Sequence, residues 1–238
     1  MAEDFGYCWR TVRLYCPSAP TFLAREWVNA AYKQLLGARH WGFLRAELTL
    51  TPDGIDPYLV MPSDFGSFKV IVDQSAQCRI AFWYSLEDFA LIDPSGTATG
   101  TPSALIATTP STDPLTLGQL RYRAYPLGAS TLTAIYNRQM PRLTDGDVFT
   151  GVLADGAETL VAGALAQAAL WPGTGEKANP YFNAGLAQAK ANEFRIGIQT
   201  LSLRDDEQYP DDLWDSWQVC AAGLAADPRS TDVSLLTS

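Results

Sequence analysis

The sequence predicts an α+β protein, a helical bundle with a mainly β insertion and an extended C-terminal arm. Three observations carry that prediction. Apolar residues recur four apart near the start, give way to short strand-sized runs over 45–140, and resume helical spacing after residue 146. The segment 204–238 then departs from the rest in charge. On this reading 1–44 and 141–203 form the bundle body, 45–140 the β insertion domain and 204–238 a docking arm.

The first helix is expected near 20–36. Leu23, Trp27, Ala31 and Leu35 fall four apart, and Phe22, Val28, Tyr32 and Leu36 widen the stripe. Ser18 or Thr21 can cap it, Pro20 suits its first turn, and Gly37 can supply a left-handed stop. Strand-sized runs follow at 44–50, 68–72, 80–84, 104–107, 120–124 and 131–136, most of them close to Pro, Gly, Asp or Ser. Between residues 94 and 117 only Asp113 is charged.

Helical spacing returns over 146–170 behind the turn Thr144-Asp145-Gly146-Asp147, with Leu153, Leu160, Val161, Ala164, Leu165 and Ala168 on one face. Trp171-Pro172-Gly173 ends it. A further helix is expected over 179–198, opened by Asn179-Pro180 and turning Phe182, Leu186, Ala189 and Phe194 inward. Alanines on both helices suit close packing. In 204–238, eight acids against Arg204 and Arg229 leave −6 of a total of −9. The same segment carries Leu213, Trp214, Trp217 and Val219, too apolar for a purely solvating tail.

The charge balance narrows the function. Seventeen basic residues against twenty-six acidic ones argue against a protein that grips nucleic acid by neutralising phosphates over a broad surface. No run approaches the roughly 18 apolar residues that span a bilayer, and the first residues lack a basic start and an apolar signal core, so intracellular synthesis is expected. Cys8, Cys16, Cys78 and Cys220 are far apart with no Cys-x-x-Cys pair, which predicts buried reduced thiols and no zinc site.

A search for chemistry ends empty. His40 is the single histidine, and nothing around Arg39-His40-Trp41 suits a nucleophile and base. Gly173-Thr174-Gly175-Glu176-Lys177 has a superficial phosphate-loop look, but Ala178 stands where a Ser or Thr is required, so a plain connection between helices is expected. Asp145 and Asp147 read as helix-start caps. The tryptophans Trp27, Trp41, Trp83 and Trp171 sit in or beside apolar periodic segments and read as core or interface. No catalytic residue, cofactor or metal ligand is expected.

The stretch Val12-Arg13-Leu14-Tyr15-Cys16-Pro17-Ser18-Ala19-Pro20-Thr21-Phe22-Leu23, running into Trp27-Val28-Asn29-Ala30-Ala31-Tyr32, resembles the opening of tailed-bacteriophage head-to-tail adaptor (connector) proteins. Ile135-Tyr136-Asn137-Arg138-Gln139-Met140-Pro141-Arg142-Leu143-Thr144-Asp145 is similar to that family's last strand and Leu-Thr-Asp turn. Gly163-Ala164-Leu165-Ala166, Trp171-Pro172-Gly173, Asn179-Pro180 and Phe194 follow in the family's order. The likeness covers about 10–200.

That resemblance implies a structural virion protein at the head–tail interface. It implies a homo-oligomeric ring, commonly of twelve copies, below the portal protein, offering a platform to a tail nozzle or tube protein and leaving a channel for DNA. An acidic protein is compatible with DNA sliding past it, because each Lys or Arg contact with phosphate adds affinity. The arm is expected to bind a neighbouring subunit or the portal through Leu213, Trp214, Trp217 and Val219. Asp205, Asp206, Asp211 and Asp212 are expected at the rim, facing a basic patch. The competing reading is a carbohydrate-binding or carbohydrate-active tail component, motivated by the tryptophans and by carboxylates that could pair.

Overall fold

The computed structural model describes residues 4–209 apart from 77, 84–86, 88, 91–94, 96 and 176. The described chain divides into two compact units, a helical one of 4–44 with 140–209 and a β one of 45–139.

The helical unit opens with a helix the sequence reading overlooked, α1 (Phe5–Tyr15). Asp4 caps it by accepting from the Tyr7 amide at 2.5 Å, and Phe5, Cys8 and Val12 are buried. α2 (Thr21–Gly37) buries Ala24, Trp27, Val28, Asn29, Ala31, Tyr32 and Leu35. Pro20 is its N-cap and no side chain caps it, so neither Ser18 nor Thr21 has the expected role. Phe22, at the edge of the predicted stripe, is 66% exposed.

The helix expected from 146 starts eleven residues later, as α3 (Ala157–Ala168). Gly146 at φ +98° and Gly151 at φ +58° are left-handed and interrupt any helix begun there. A 3-10 segment, Gly151–Asp155, instead delivers Val152 and Leu153 to the core. The last helix, α4 (Ala184–Gln208), is also displaced. Asn183 caps it by accepting from the Leu186 amide at 3.0 Å. Asn179 is buried and spent on tertiary closure: its Nδ2 donates to Ala168 O at 2.8 Å and Trp171 O at 2.7 Å. Its Oδ1 accepts from the Tyr181 amide at 3.0 Å, but the turn this opens does not continue, and the helix starts behind Asn183 instead.

The core of this unit gathers Cys8, Val12, Trp27, Val28, Leu35, Trp41, Leu160, Leu165, Phe194 and Leu201. Trp41 is fully buried and its indole donates to Leu35 O at 2.9 Å. Small residues set the spacing, as the alanine content suggested. A Cβ placed on Gly163 would lie 2.8 Å from Phe194 and 2.9 Å from Ala31, so α2, α3 and α4 meet where only hydrogen fits.

Among the described residues the β unit contains two four-stranded sheets, with one apolar cluster between them and a smaller one of Phe89, Ala104 and Ile106 beside it. The first has the order β1 (Arg45–Leu50), β8 (Leu132–Arg138), β3 (Phe65–Asp73), β4 (Cys78–Arg79), all antiparallel. The second has the order β2 (Tyr58–Val60), β7 (Arg121–Tyr125), β6 (Ala104–Ala107), β5 (Ala81–Trp83), parallel between β5 and β6 alone. Leu50, Met61, Phe65, Ile71, Leu105, Ala124, Leu132 and Ala134 fill the space between them. Phe65 stacks on Tyr136 at 5.4 Å and Phe68 on Phe82 at 5.4 Å. Cys8 and Cys16 are the buried free thiols expected, whereas Cys78 is disulfide-bonded, against expectation.

Candidate assembly surface

Among the described residues no group of three His, Cys, Asp or Glu side chains could hold a metal ion, and His40 is exposed. Gly173–Thr174 and Lys177–Ala178 pair as a short antiparallel ribbon, β9 and β10. Gly173 lies at φ +105°, and a Cβ there would meet Lys177 O at 2.4 Å, so the glycine serves the ribbon. Burial pushes the Cys16 thiol up to about 11, with a smaller opposing effect from the Asn179 side chain, which keeps it protonated and a poor nucleophile.

The acids expected to cap a helix have other partners. Asp145 accepts from Trp9 Nε1 at 3.1 Å and pairs with Arg25. Asp147 accepts from the Thr144 amide at 2.6 Å and its hydroxyl at 3.0 Å, closing its own turn. No helix begins there.

The arm candidates separate into two groups. Asp205 lies in the last turn of α4, 1% exposed, and its carboxylate accepts from the Gly42 amide at 2.6 Å and the Phe43 amide at 3.1 Å. Asp206 accepts from Arg39 Nη1 at 3.0 Å and also pairs with Arg39 Nη2, while the Arg39 guanidinium lies 5.6 Å from the Trp41 ring. Both therefore fasten α4 to its own body. The reason is length: α4 runs ten residues beyond the expected end, so Arg204 and the acids after it continue the helix. Leu213, Trp214, Trp217, Val219, Asp211 and Asp212 lie outside the described residues.

α4 carries the feature that sequence reasoning misplaced. At about 37 Å it is long for the contact it makes, burying only Ala187, Phe194, Leu201 and Asp205. Two residues along a helix rotate by about 200°, so Ala189, Ile196 and Leu203 lie on the opposite face. Ile196 is 57% and Leu203 66% exposed. Phe182 and Ala189, expected inward, are exposed, and only Phe194 of that set is buried. The signal was present as two interleaved seven-residue series, 187-194-201 and 189-196-203.

Beside this face a groove of about 610 Å³ runs between Ala38, Arg39 and Ile198, Gln199, Ser202, Leu203. A second groove, of about 430 Å³, lies along α2 and is lined by Glu26, Ala30, Tyr32, Lys33, Leu36 and Met140 among others. Asn29 builds its wall: its Oδ1 accepts from the Leu143 amide at 2.8 Å and its Nδ2 donates to Leu143 O at 3.2 Å, holding the chain after Met140 against the helix. No helix among the described residues is long and apolar enough to cross a membrane.

A model of the SU10 adaptor protein family matches residues 9–216. No curated protein matches the chain.

Proposed function

From the premise that this chain belongs to the SU10 adaptor protein family, a family of phage head-to-tail adaptors, we propose that it closes into a ring below the portal and joins the DNA-filled head to the tail. Twelve copies form the ring, and DNA passes through the channel they leave.

The observation that carries this reading beyond the family is the two-faced α4. Its inner series holds the helical unit together, and its outer series, Ala189, Ile196 and Leu203, remains for a neighbour. A ring needs head-to-tail contacts between unlike surfaces, which close only when the rotation per copy is right. A portal ring can template that rotation, so the isolated chain is a monomer or a weak oligomer. The net charge of −9 suits a channel that must not hold phosphates.

Leu213, Trp214, Trp217 and Val219 anchor the chain on the portal or on a neighbouring copy, with Asp211 and Asp212 at the rim of that contact. Two tryptophans and two aliphatic residues are the kind of cluster that dominates an interface, while rim acids set orientation and association rate.

The test is a phage lacking this gene. Heads should fill, leak DNA and lack tails, and the added protein should restore tail attachment. Normal tailed particles without the protein would refute the proposal.

A further inference from the structure

The β unit displays a loop whose construction is unlike that of an ordinary solvated connection. It joins β6 to β7 and lies within the stretch the sequence marks as carrying a single charge, Asp113. The loop satisfies its own backbone. Ser111 N donates to Gln119 O at 2.9 Å, Gly118 N to Ser111 O at 3.0 Å, Thr116 N to Asp113 O at 3.1 Å, and Leu115 N to Asp113 Oδ1 at 2.8 Å. The Ser111 and Thr116 hydroxyls share a hydrogen bond at 2.8 Å, and Gly118 adopts φ +79° to close the turn. Beyond these bonds the tip shows Leu115 at 92% and Leu117 at 71% exposure, with the exposed Asp113 beside them.

A fixed loop of this kind binds with little ordering cost, and paired exposed leucines on it mark an interaction site more than a solvated turn. The helical unit of the same chain supplies a matching receptor. The groove along α2 is walled by Ala30, Tyr32, Leu36 and Met140, with Lys33 on its rim. Lys33 is exposed and has no ion-pair partner among the described residues, whereas Arg142 beside it is already paired with Glu26. The loop brings one acid, and the groove rim offers one uncommitted cation.

We propose that Leu115 and Leu117 of one copy insert into the α2 groove of a second copy, with Asp113 facing Lys33. This inference rests on the ring proposed above, because a heterologous contact needs two different complementary patches on every copy, and the loop and the groove are such a pair.

A photo-reactive amino acid placed at Leu115 in the full-length chain tests it, with heavy- and light-isotope copies mixed before assembly on heads and, separately, at high concentration in solution. The expected product is a mixed-isotope cross-link to a peptide within residues 26–36 or 140–142. Replacing Leu117 by serine in the same chain should reduce its yield about tenfold, the scale set by burying one leucine side chain. D113K should reduce it about fivefold and K33D should restore it. Cross-links within one copy only, to portal, tail protein or lipid, or none at all would overturn the contact. Heads that retain the protein without this cross-link leave the adaptor reading intact. The cross-link in solution from a chain that never joins heads supports the contact and fails the adaptor reading instead.

Discussion

Replacing Asp205 by alanine separates two roles that the acidic end of this chain could have. In the structure its two carboxylate oxygens accept from the Gly42 and Phe43 amides at 2.6 and 3.1 Å in a site 1% exposed. Removing the acceptor strands two amides, one of them in a buried bond, where water does not easily replace it. Hydrogen bonds to a charged group contribute about 1.5–3 kcal/mol each, and part of the carboxylate's desolvation cost is recovered on deletion, so the net loss is about 3 kcal/mol. For a unit of this size that corresponds to a fall in Tm of roughly 10 °C. Urea unfolding followed by circular dichroism reads the loss as a lower midpoint at unchanged slope. Asp205→Asn keeps one acceptor oxygen and should lose about half as much. A D205A protein within about 0.5 kcal/mol of the parent, but defective in head attachment, would refute the internal role and restore Asp205 to the partner surface.

Other outcomes follow from the same geometry. Gly163→Ala puts a methyl group 2.8 Å from Phe194 and 2.9 Å from Ala31 and should cost about 1–3 kcal/mol by thermal unfolding, with Ala31→Gly recovering part of it. Cys16, raised from 9.0 to about 11, binds its proton more tightly when folded; the unfolded chain releases protons first above pH 9, so this thiol should lower stability by up to about 2 kcal/mol between pH 9 and 11, and the fall over that range should be smaller in Cys16→Ala. Ile196→Asp with Leu203→Asp should change unfolding by no more than about 0.5 kcal/mol yet abolish assembly on heads, scored by sedimentation of heads with bound protein. A chain ending at residue 209 should fail to attach to heads, and one ending at 203 should in addition lose about 3 kcal/mol relative to it, because it lacks Asp205.

The strand pattern was readable because sheet-forming runs are short, apolar and bounded by turn residues. β1, β6, β7 and β8 fall within two residues of where periodicity puts them. Helix ends were harder. Asn179-Pro180 is a good local start signal and Asn179 Oδ1 does accept from the Tyr181 amide, but its Nδ2 ties the residue to the carbonyls of Ala168 and Trp171, and the turn it opens does not run on into α4. α1 was missed because its apolar series, Phe5, Cys8 and Val12, is short and broken by polar residues. The acids after Arg204 read as a solvated run because composition cannot tell a helix's last turn from the start of a tail. Asp205 makes the point: its neighbours in sequence are acids, and its neighbours in space are two amides 163 and 162 positions away.

The arrangement of α4 explains how folding and assembly remain separable in one helix. Phe194 and Ile196 are two residues apart, yet one is 8% exposed in the core and the other 57% exposed on the far face. A helix that buried both series within its own unit would be more stable alone and would leave nothing for a neighbour. Burying one series and exposing the other leaves an apolar stripe that is a solubility liability in the free chain, held in check by charges around it such as Lys190, Arg195 and Glu207. The stripe becomes an asset only when another surface covers it. For that reason substitutions in 187-194-201 should register in unfolding experiments and those in 189-196-203 in assembly experiments. Since the two series share a helix but no packing neighbours, their effects should add, and a double variant such as Phe194→Leu with Ile196→Asp showing strong coupling in stability would contradict the separation.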